Sequence, residues 1–156
     1  MTEAVRIANG LAVPVDDVVE RVPGADGHHP WFTIPIPLED GLETLALRRT
    51  SHGSCRFLLG VGSRGRCAIH PMRAGVCRLF PYEVDYGGRR YSVGDQSLCP
   101  KAWLVDKDSP RRVQRDLEAW LTDLAAEEDL VARWSRRSRG ARSWSAWVAF
   151  ARRHGT

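Results

Sequence analysis

The sequence predicts a small single-domain α+β fold, with short β-hairpins around a loop-rich cysteine centre and a C-terminal helical cap. Three observations predict it. Turn dipeptides flanked by β-forming residues occur at Asp40-Gly41 and Gly87-Gly88. All four cysteines, Cys55, Cys67, Cys77 and Cys99, fall in one turn-rich window of 45 residues. After Ser109-Pro110 the apolar residues recur at helical spacing. A chain of 156 residues is near the usual size of one domain.

Taken in order, residues 11–24 (LAVPVDDVVERVPG) read as a short helix, with Pro14 near its start and Asp16 and Asp17 at the positive end of its dipole. Residues 31–39 are β-rich, but Pro35 and Pro37 confine them to an edge strand. Residues 42–50 alternate as a half-buried strand and are expected to pair with 31–39 as a hairpin. The Gly-rich stretch 60–66 lacks the order of a phosphate loop and reads as a plain turn. Residues 82–93 read as a hairpin turning at Gly87-Gly88. Ser109 and Pro110 open a helix whose apolar face (Val113, Leu117, Trp120, Leu121, Leu124) continues to Trp134. The Arg-rich run 135–142 breaks it, and residues 143–153 form a second short helix. The expected organisation is a cysteine-bearing α+β domain over 1–108 and a helical, Arg/Trp-rich extension over 109–156 packed on it.

No apolar run approaches the roughly 18–20 residues needed to cross a bilayer, so no membrane association is expected. The first 17 residues lack the basic start and apolar stretch of a secretory signal, which places the chain in the cytoplasm. Stable disulfides are rare in that reducing compartment, so clustered cysteines point to metal ligation ahead of core thiols or disulfides. Thiolates must come from turns to surround an ion, and each cysteine here adjoins a turn signal: Gly53-Ser54, Gly65-Arg66, Ala74-Gly75 and Pro100. The spacing itself is a weak signal. The gaps are eleven, nine and twenty-one residues, with no Cys-x-x-Cys pair.

The segments Cys55-Arg56-Phe57-Leu58, Arg66-Cys67-Ala68-Ile69-His70-Pro71-Met72-Arg73, Cys77-Arg78-Leu79-Phe80-Pro81-Tyr82 and Cys99-Pro100 together resemble the YkgJ-like cysteine-cluster family, also called the CxxCxxCC family. The resemblance covers about residues 11–100 and is most specific over 77–82. It implies chelation of zinc or of an iron–sulfur cluster by Cys55, Cys67, Cys77 and Cys99, without a settled reaction. Three departures stand out. The family's N-terminal Cys-x-x-Cys-x-x-Cys-Cys cluster is missing, Ala74 replaces a proline, and His70 stands where an aromatic residue is expected. The missing cluster reads either as a start assigned too far downstream, which is the favoured reading, or as a degenerate family member.

Arg73 and Arg78 flank the thiols, where a cation would stabilise a negatively charged thiolate centre; a plain salt bridge is the competing reading. His70 reads as a ring in the aromatic slot rather than as a fifth ligand, and His28-His29 as a solvated pair. A nucleophilic Cys77 with His70 as its base is a lesser alternative. Residues 109–156 carry the whole net charge of +4. Their interleaved arginines and tryptophans offer a second function class, nucleic-acid binding by phosphate contact and base stacking. The competing reading is a tryptophan-anchored helix with a solvated arginine loop. Some relatives with such clusters are flagellin lysine N-methylases, so an enzymatic role is a third class.

Overall fold

The computed structural model describes residues 1–24, 34–60, 66–80, 82–85, 90–93 and 109–155. It is α+β, with helices and antiparallel strands. By contacts the chain divides into two compact units, one of residues 1–56 and 121–156, the other of residues 57–120. Among the described residues no helix is long and apolar enough to cross a membrane.

The first unit opens with helix α1 (Thr2–Leu11), which buries Ala4, Ile7 and Ala8 at the i, i+3, i+4 positions of one face. It ends where Ala12 takes the left-handed conformation (φ 54°). There the Val13 N–H bonds back to Ala8 O at 3.0 Å and closes the helix C-terminus. Pro14 then leads into a single 3-10 turn, Val15–Asp17. Strand β1 (Val19–Pro23) follows directly. The helix expected over 11–24 is therefore absent: its residues form a helix end, a 3-10 turn and a strand. The reason is non-local. Strand β3 (Leu42–Leu47) pairs antiparallel with β1, from Val19 opposite Leu47 to Pro23 opposite Glu43, and the Val-rich segment suits that pairing. Strand β2 (Ile36–Pro37) pairs on the other side of β3, giving the order β1-β3-β2. The expected hairpin is thus present, and Pro37 sits on an edge strand, where its missing N–H costs no ladder bond.

The unit's core joins these early elements to the end of the chain. Helix α3 (Ser109–Trp134) and helix α4 (Trp144–His154) end and begin close to their expected limits. Ser143 caps α4, its hydroxyl accepting from Ala146 N at 3.3 Å. Trp134 and Trp147 are fully buried, with ring centroids 5.2 Å apart and planes tilted by 58°. The Trp134 indole donates to Pro37 O at 2.9 Å.

The second unit holds strand β4 (Leu58–Leu59) paired with β5 (Arg66–Cys67), a 3-10 turn at His70–Met72, and the short helix α2 (Gly75–Leu79). It also holds the hairpin of β6 (Tyr82–Asp85) and β7 (Arg90–Val93), and α3 up to Trp120. The hairpin expected over 82–93 is present; its turn at Gly87-Gly88 lies outside the described residues. Ile69, Ala74, Leu79, Val113, Leu117 and Trp120 are buried.

Candidate metal centre

Cys67 closes the two-residue strand β5, opposite Leu58. The chain then turns: Ala68 N donates to Phe57 O at 2.8 Å, and Met72 N to Ile69 O at 2.8 Å. Cys77 lies in the middle of α2, its N–H bonded to Ala74 O at 2.9 Å. Both side chains are half-buried thiols, and both belong to the unit of residues 57–120.

One close approach holds α2 in place. A β-carbon added to Gly75 would lie 2.3 Å from Cδ1 of Trp120 on α3, so only a glycine fits against that indole. In the sequence Ala74-Gly75 reads merely as a turn before Cys77. The close contact that makes the glycine necessary comes from a residue 45 positions away.

The two arginines differ. Arg78 uses Nη1 to donate to Arg73 O at 3.0 Å, tying the start of α2 to its last turn. Arg73 presents a buried Nε with no hydrogen-bond partner among the described residues. A buried donor left unpaired costs about 1–3 kcal/mol. His70 is exposed at the start of the 3-10 turn.

Cys55 belongs to the other unit. It pairs with Arg49 in an isolated antiparallel bridge, across a tight turn where Gly53 adopts φ 79° and Thr50 N donates to Ser54 O at 2.8 Å. Charged groups surround that turn. Arg49 Nε meets Glu20 Oε1 at 2.8 Å, Arg56 Nη1 meets Asp17 Oδ1 at 3.5 Å, and Arg48 Nη1 donates to Asp16 O. The hydrogen bond from Arg49 holds the Glu20 carboxyl below its ordinary range. Sequence reading singled out none of these pairs, because their partners are 29 to 39 residues apart and nothing local marks them.

Cys99 lies outside the described residues, as do His28 and His29 and positions 61–65 of the Gly-rich turn. Among the described residues no three His, Cys, Asp or Glu side chains gather into a metal-holding group. Of the expected ligands, the 57–120 unit contributes Cys67 and Cys77 with a buried cationic donor.

The tail carries the second candidate. The buried Trp134 and Trp147 offer no face for base stacking. Trp144 is half-buried, its indole N–H donates to Asp16 Oδ1 at 2.6 Å, and the Arg21 guanidinium lies 5.4 Å from its ring centroid.

No family model, no curated protein and no solved structure matches this chain.

Proposed function

We propose that this chain is a thiolate metal-binding protein, holding an iron–sulfur cluster or a zinc ion, of the kind its cysteine segments resemble. Cys67, Cys77 and Cys99 are its ligands. The observation that supports the reading is that the half-buried Cys67 and Cys77 fall in the same compact unit as Arg73, whose buried Nε has no hydrogen-bond partner among the described residues. A bound metal supplies the counter-charge that keeps thiolates deprotonated, and thiolates supply the acceptor that a buried guanidinium lacks. Arg78 holds the backbone of the α2 segment. The site and its short flanking elements form together, so metal also stabilises the fold.

The test is metal and acid-labile sulfide analysis of the full chain purified without oxygen. Iron with stoichiometric sulfide identifies a cluster, and zinc without sulfide identifies a structural ion. Cys67→Ser and Cys77→Ser are each expected to lower bound metal by more than half and to lower the thermal midpoint, and chelation of the wild type is expected to do the same. Metal-free wild-type protein, or serine variants that keep full metal content, overturns the reading.

A further inference from the structure

We draw no further inference here: the strongest candidate, the outer edge of strand β1 in the three-stranded sheet, ends at Pro23 and carries Arg21, which already pairs with Glu43 and lies over the Trp144 ring, and nothing in the structure shows what covers it.

Discussion

Glu20 is the residue whose charge the structure tunes most visibly. Its carboxylate accepts from Arg49 Nε at 2.8 Å, and that bond holds its pKa below the ordinary value of 4.5. A lowered folded value means that the unfolded chain binds the proton first. The ion pair therefore contributes fully above pH 4.5 and is lost as pH falls through the lower, folded value. Both side chains are partly solvated, so screening keeps the contribution under about 1 kcal/mol. Urea titrations at neutral pH and near pH 3 check this. Glu20→Gln is expected to be the less stable protein at neutral pH and to lose less stability on acidification, so the two curves converge. A constant difference between them would contradict the assignment.

At the scale of elements, the placement of α2 depends on the absence of one side chain. Gly75→Ala puts a methyl carbon 2.3 Å from Trp120 Cδ1, and the indole has to move. Overpacking of this kind costs about 1–3 kcal/mol, which outweighs the roughly 1 kcal/mol that alanine gains over glycine in a helix. The expected outcome is a lower denaturation midpoint for Gly75→Ala. In a Trp120→Leu background the same change is expected to be neutral or stabilising. This double-mutant cycle isolates the contact, and additive losses would show that it is not the cause. The element scale is also where sequence reading did best and worst. Ser143 at the N-cap and the helical spacing of Trp144, Trp147 and Ala151 define α4 locally, as Asp40-Gly41 defines the hairpin of β2 and β3. Ala4, Ile7, Ala8 and Leu11 carry the same helical period and make α1 legible, although Pro14, Asp16 and Asp17 point to a helix over 11–24 instead.

Across the whole molecule, the unit of residues 1–56 and 121–156 is held by contacts of long sequence separation. The Trp134 indole bonds Pro37 O across 97 positions, and Trp134, Trp147 and Phe150 form an aromatic cluster. Trp134→Phe removes that hydrogen bond and part of a fully buried ring. About 1 kcal/mol for the bond and 1–2 kcal/mol for the lost volume give an expected destabilisation of about 2–3 kcal/mol. Chemical denaturation followed by circular dichroism checks it, and a loss below about 0.5 kcal/mol would mean that the bond and the packing are replaced. The buried Trp134 and Trp147 agree with the tryptophan-anchored helix that the tail suggests when read alone, rather than with a base-stacking surface.

By itself the sequence determined what short-range chemistry can specify: the α+β class, the two hairpins, and the limits of α3 and α4; it put every cysteine beside a turn, whereas Cys67 ends strand β5 and Cys77 lies in helix α2. Periodicity, caps and turn residues act over a few positions and are written there. The tertiary structure decided the rest. Residues 19–23 became a strand because β3 offers its edge, Gly75 is required because Trp120 lies against it, and among the described residues Arg78 Nη1 reaches the Arg73 carbonyl while Arg73 Nε has no partner. The cysteines too were sorted by the fold, Cys67 and Cys77 into one unit and Cys55 into the other. Pairing partners and burial arise from contacts made far along the chain, and no local pattern encodes them.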